Sequence, residues 1–116
     1  MTKKFLSFGI VLFLASCLFS GIVFAKEEHT SAALEHTTAA AAATDAAGVK
    51  EHATEALKHT EAAKTAHAHH PKIVKHIEEG ETHLKAAIDA ADKGDAAGAA
   101  KHASEAETHL KAADKK

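Results

Sequence analysis

A twelve-residue frame recurs four times in this chain and restricts what it can fold into. The clearest copy runs from His102 to Ala113: a histidine, Glu105 three residues on, His109 seven residues on, then Ala-Ala. The same order stands at His52–Ala63 and His76–Ala87, and in a worn form at His29–Ala40, where Ala32 takes the glutamate position. Seven residues are almost two α-helical turns, a net rotation of about −20°. The two histidines of a copy therefore share one stripe of a helix, about 10 Å apart along its axis, too far to hold one ion together. Glu55, Glu79 and Glu105 lie between them, within side-chain reach of either histidine. Three copies thus present two nitrogen donors and one carboxylate on a single helix face.

The start of the chain reads differently. Met1-Thr-Lys-Lys4 is a short basic stretch, Phe5 to Ala25 carries no charge, and Val23-Phe24-Ala25 has the form of a signal-peptidase site. We read residues 1–25 as a secretory signal and 26–116 as the exported domain. Two alternatives stand beside it. The apolar run is long enough for an uncleaved anchor helix, and Leu14-Ala15-Ser16-Cys17 has the form of a lipobox, which would lipidate Cys17. Either the signal or that lipid would be the only link to a membrane.

The exported part loses Lys3 and Lys4 and keeps every acid, so 12 lysines face 16 Asp and Glu, a net charge of −4. That balance argues against nucleic acid as a partner. All five Phe, the one Met and the one Cys lie in residues 1–25, so after cleavage no disulfide is open to the domain. Its larger aliphatics are Leu34, Val49, Leu57, Ile73, Val74, Ile77, Leu84, Ile88 and Leu110. At about 1.5–3 kcal/mol for each one buried, they do not comfortably offset the ordering entropy of such a chain. Alanine contributes helix propensity instead, and domains with thin cores commonly lean on a metal or a partner.

Punctuation divides the domain into four helices. The first spans about 28–43, through the alanine run Ala39–Ala43. Asp45-Ala-Ala-Gly48 opens the second with Asp45 as N-cap, and Asp95-Ala-Ala-Gly98 opens the fourth in the same way. Residues 45–63 and 95–113 keep one register at an offset of fifty, an internal repeat. The second helix fades near Ala66. His67-Ala68-His69-His70-Pro71 makes a turn, with Pro71 at the first position of the third helix, which Lys93-Gly94 ends. Short connections make neighbours antiparallel, so the expected fold is all-α, an up-down four-helix bundle, and we expect a monomer.

On that bundle the histidines flank the core. In the third helix Ile73, Ile77, Leu84, Ile88 and Ala91 share an arc, with His76 and His83 to one side of it. Val49, Ala53, Ala56 and Leu57 place His52 and His59 likewise. This edge corresponds to an e or g position of a coiled coil. Like edges of antiparallel neighbours meet, which brings His36 level with His52, His29 with His59, His83 with His102 and His76 with His109. A second arrangement, with the rows joining the second and third helices, stays open.

Histidine makes up about one residue in eight of the exported domain, and His-rich tracts of this kind bind metal. Imidazole with carboxylate suits Cu(II), Ni(II) and Zn(II), whereas Cu(I) and iron–sulfur clusters favour the sulfur that is missing. The candidate ligands are His29, His36, His52, His59, His76, His83, His102 and His109 with Glu55, Glu79 and Glu105. The turn trio His67, His69 and His70 adds a looser cluster. No organic cofactor is expected. Nor is an enzyme: the domain offers no cysteine, serine elbow or Gly-rich phosphate loop. The competing reading is a helical interaction module of the cell envelope, tuned by histidine protonation.

The four histidine repeats, best seen in Ala99-Ala-Lys-His102-Ala-Ser-Glu105-Ala-Glu-Thr-His109-Leu-Lys-Ala, resemble those of the small metal-binding protein family of bacterial periplasms. The resemblance covers most of residues 29–114. It implies a helical bundle that binds several divalent ions, copper among them, and scavenges or buffers metal.

Overall fold

The computed structural model describes residues 25–115; residues 1–24, with the expected signal and Cys17, lie outside the described residues. Four helices follow one another: α1 (Ala25–Ala42), α2 (Ala46–Ala66), α3 (Pro71–Asp92) and α4 (Ala96–Lys115). α1 packs on α2 and α4, and α3 packs on the same two. This is the expected up-down bundle. α1 begins three residues earlier than the 28–43 reading and stops one residue sooner. Among the described residues no helix is long and apolar enough to cross a membrane.

The helix boundaries follow from the residues that set them. Asp45 is extended and its carboxylate accepts the Gly48 N–H at 2.7 Å. Asp95 accepts the Gly98 N–H at 2.9 Å. Each satisfies one of the orphan donors of a helix start. Pro71 stands in the first turn of α3, where its missing N–H costs nothing. Gly94, at φ 80°, makes the left-handed turn that ends α3 and leads into Asp95.

The core repeats every 3.5 residues, as in a coiled coil. With Ile77 at a, the a positions hold Thr30 and Thr37 in α1, Ala53 and Thr60 in α2, Ile77 and Leu84 in α3, and Ala103 and Leu110 in α4, all buried. The d positions hold mostly alanine or glycine: Ala33, Ala40, Ala56, Ala63, Gly80, Ala87, Ala99, Ala106 and Ala113, with Val49 buried in the first turn of α2 and Ile73 partly buried in the first turn of α3. Small residues there let the helix backbones come close. At Gly80 the approach is so tight that a Cβ would stand 2.9 Å from Leu110 Cγ. Leu34, Leu57, Ile73 and Ile88 are only partly buried against this core. The α3 core arc takes in Gly80 and Ala87, in line with Ile73, and leaves Ile88 at its margin.

In this register all eight repeat histidines, from His29 to His109, fall at g. The g edges meet between α1 and α2 and between α3 and α4. The other two interfaces carry other chemistry. Between α2 and α3, Lys64 reaches Glu81 at 3.0 Å, Glu81 being 5% exposed, and the Thr60 hydroxyl lies 3.4 Å from the same carboxylate. Between α1 and α4, the Thr38 hydroxyl donates to Glu107 at 2.6 Å, and Lys111 lies 3.2 Å from the other oxygen. Lys50 and Asp92 pair at 2.6 Å across the far end of α2 and α3.

Glu81 makes Lys64 a structural residue. Lys64→Met would strand a buried carboxylate, which costs about 3–5 kcal/mol for a fully buried pair. The Lys64 side chain is 27% exposed, so water reaches the pair, and we expect about 2–3 kcal/mol. The Lys64→Met/Glu81→Met double variant should recover most of that loss. Urea midpoints of the three proteins test this; a single variant as stable as wild type would remove the pair from the account.

Candidate metal centres on two histidine ladders

The g edges interleave rather than face off in pairs. On α3 and α4 the rings follow the order His76, His109, His83, His102, with successive centroids 6.5, 5.3 and 6.1 Å apart. On α1 and α2 the order is His29, His59, His36, His52, at 5.7, 5.6 and 6.0 Å. Each ladder alternates between its two helices. The levels expected from the sequence all occur, and the arrangement joining α2 to α3 does not. A g residue lies beside the core, so the rings are half-buried, with their side chains 31–41% exposed on the α3–α4 ladder.

Carboxylates complete the α3–α4 ladder. Glu79 Oε2 lies 3.4 Å from His76 Nδ1 on its own helix and 3.2 Å from His109 Nδ1 on the neighbour. Glu105 Oε2 lies 3.2 Å from His102 Nδ1 and 3.3 Å from His83 Nδ1. Two groups result, His76/Glu79/His109 and His83/His102/Glu105, each with its three donor atoms within 4.8 Å of one another. The spacing within a copy explains this. A glutamate three residues past a g histidine sits one turn further along the same face, and the antiparallel partner lays its own histidine across the gap.

These donors fit a divalent ion. Ligands about 2.0–2.1 Å from a tetrahedral centre stand about 3.3–3.4 Å apart, which matches the carboxylate–imidazole separations of both groups. His76 Nδ1 is buried without a hydrogen-bond partner, although the Glu79 carboxylate is near. A buried imidazole nitrogen in that position is costly unless something completes it. Each group would supply three protein ligands to such an ion.

The α1–α2 ladder is poorer in oxygen. Ala32 occupies the place of Glu79. Glu55, the counterpart of Glu105, instead accepts a hydrogen bond from Lys58 at 2.9 Å, which holds its carboxyl below the ordinary glutamate range. His29 and His59 approach through their Nδ1 atoms at 3.5 Å. Burial, followed by the nearby His52, pushes His36 below the ordinary imidazole value; burial, followed by His36 and His29, does the same for His59. The folded chain therefore takes up protons at these two histidines less readily than the unfolded chain. Above about pH 7.5 both states hold them neutral and nothing is lost. As the pH falls through the unfolded value near 6.5, the unfolded state gains protons first and stability drops, levelling off below the folded values. The melting temperature of the metal-free protein should thus fall more between pH 7.5 and 5.5 than that of His36→Gln/His59→Gln. Parallel slopes would remove burial of these rings as the cause.

The turn residues separate. His67 is buried at the end of α2, its Nε2 3.4 Å from the Thr30 hydroxyl and its ring edge-on to His70 at 6.0 Å. His67 occupies the next a position after Thr60, which draws it inward. His69 and His70 are exposed. Among the described residues, no group of three donors forms at this turn. Glu81 is the residue the sequence reading passed over. An acid four residues after Ile77 and three before Leu84 sits beside the apolar stripe, and that position was its signal.

No curated protein and no solved structure matched the chain. The family model described as "Small metal-binding protein" matches residues 2–113, nearly the whole length and all four histidine repeats. With histidine and glutamate donors gathered on the paired g edges of a four-helix bundle, the chain belongs to the small metal-binding protein family.

Proposed function

We propose that this protein binds divalent transition-metal ions of the copper, nickel and zinc group, in the periplasm or another exported compartment, and buffers or scavenges them. The observation that carries the reading is the position of Glu79 and Glu105, each placed between two imidazoles from different helices. An ion held there takes two neutral nitrogens and one oxygen, a borderline donor set that suits this group of metals. The half-buried g edge supports exchange: ligands are prearranged, yet open enough for ions to enter and leave. The basic and apolar stretch over residues 1–25 supports export. The chain acts as a carrier rather than a catalyst, since its histidine donors lie along open edges and not in a closed cleft.

The test is metal titration of protein purified without an affinity step that selects for histidine. Wild type should bind Zn(II), Ni(II) and Cu(II) well below millimolar. If nothing binds tighter than about 1 mM, roughly −4 kcal/mol, an envelope interaction module tuned by histidine protonation becomes the better account.

A further inference from the structure

The two helical hairpins are copies of one another. His36 stands forty-seven residues before His83, and His52, Glu55 and Lys58 stand fifty before His102, Glu105 and Thr108. The rings keep the correspondence: His36 and His52 lie 6.0 Å apart at 31°, His83 and His102 6.1 Å apart at 28°. What differs is the carboxylate. Glu105 turns between its two histidines, with Thr108 beyond it on the helix. Glu55 has Lys58 at that place and turns to it. We propose that His36, His52 and Glu55 form a third metal centre, in which Lys58 is a latch that holds the carboxylate ligand aside until an ion draws it in. This rests on the metal-binding function proposed above and adds a site and a residue that sets its strength.

The latch is weak by construction. Lys58 is 65% exposed and Glu55 43%, and exposed ion pairs of this kind are worth little. A divalent ion between two imidazoles attracts the carboxylate more strongly than one hydrated ammonium does. The ion therefore displaces Lys58, at the cost of that pair. The third centre has the donor set of the other two and a lower affinity. The equivalent place at His29 and His59 has Ala32 and no carboxylate to recruit, so it stays a two-nitrogen contact.

Zinc, which is diamagnetic, lets each imidazole be followed by NMR during titration of the full untagged protein. In wild type, the rings of His76, His83, His102 and His109 should respond first, and those of His36 and His52 at higher zinc. Lys58→Thr should tighten the His36/His52 response about two- to fivefold, the worth of an exposed pair, and leave the other four unchanged. Glu55→Gln should weaken it. In Lys58→Thr/Glu55→Gln the gain should vanish. If Lys58→Thr gives the same gain without Glu55, the lysine acts only by charge repulsion and the latch is wrong. If His36 and His52 respond identically in wild type and Glu55→Gln, the third centre has no carboxylate. Either failure leaves the α3–α4 centres standing, whereas absence of any zinc response in wild type defeats the general function.

Discussion

Acidification from pH 7 to pH 5 should strip divalent metal from the protein. Each α3–α4 centre asks two imidazoles to be neutral, so protons compete with the ion at two places. Where both imidazoles of the metal-free centre are protonated, apparent affinity should fall by about a hundredfold per pH unit, about ten for each histidine. Few substitutions would change binding as much. Zinc affinities at pH 7, 6 and 5 by calorimetry, corrected for buffer protonation, provide the check. A flat profile over that range would move the ligand set to carboxylates. A tenfold slope would leave one histidine per ion and undo the cross-helix arrangement.

The second large effect is on the fold. Leu110→Ala should destabilise the metal-free protein by about 2–5 kcal/mol, the usual cost of emptying a leucine site in a packed core. Leu110 is fully buried and lies against the gap that Gly80 leaves in α3. Around it the core is mostly alanine: eleven of the fifteen buried apolar residues, with Val49, Ile77 and Leu84 as the other large ones. Few neighbours can close the hole. The loss should also be visible to the metal, because Leu110 adjoins His109 and Gly80 adjoins Glu79, both in the first group of donors. Zinc at about a hundred times its dissociation constant adds about 2.7 kcal/mol to a state that alone binds it. Circular dichroism should therefore show Leu110→Ala losing helix without metal and regaining much of it with zinc. Full helicity of the metal-free variant at 37 °C would show that the alanine-lined d positions, and not the leucines, carry the stability.

The elements of the bundle were legible because single residues mark them. Asp45 and Asp95 cap, Pro71 starts a helix and Gly94 closes one, each by a local backbone rule that tertiary packing does not overturn. The histidine edge was legible for a similar reason, since a spacing of seven fixes a helix face. Which neighbour that edge would meet was not. In an up-down bundle the sense in which the helices wind decides whether the g edge of α2 faces α1 or α3, and no local signal in this chain states it. The structure ties the e edge of α2 to α3 through Lys64 and Glu81, leaving the g edge for α1. Side-chain choices were least legible. Glu55 and Glu105 occupy equal places in their copies, and only the neighbour three residues on, Lys58 or Thr108, separates the one turned away from the one turned toward the rings. His67 looked like part of an exposed turn, but it continues the 3.5-residue period of α2 by one more step and is drawn inward with Thr30 as its partner.

Sharing of an ion between α3 and α4 is the claim on which the rest depends, and a double-mutant cycle measures it. Zinc affinity would be determined for wild type, His83→Ala, His102→Ala and the double variant, with helicity confirmed for each. If both histidines hold one ion with Glu105, either single loss already breaks the centre, and the double variant should bind about as weakly as each single one. Losses that add within about 0.5 kcal/mol would mean independent histidines and would contradict the shared centre.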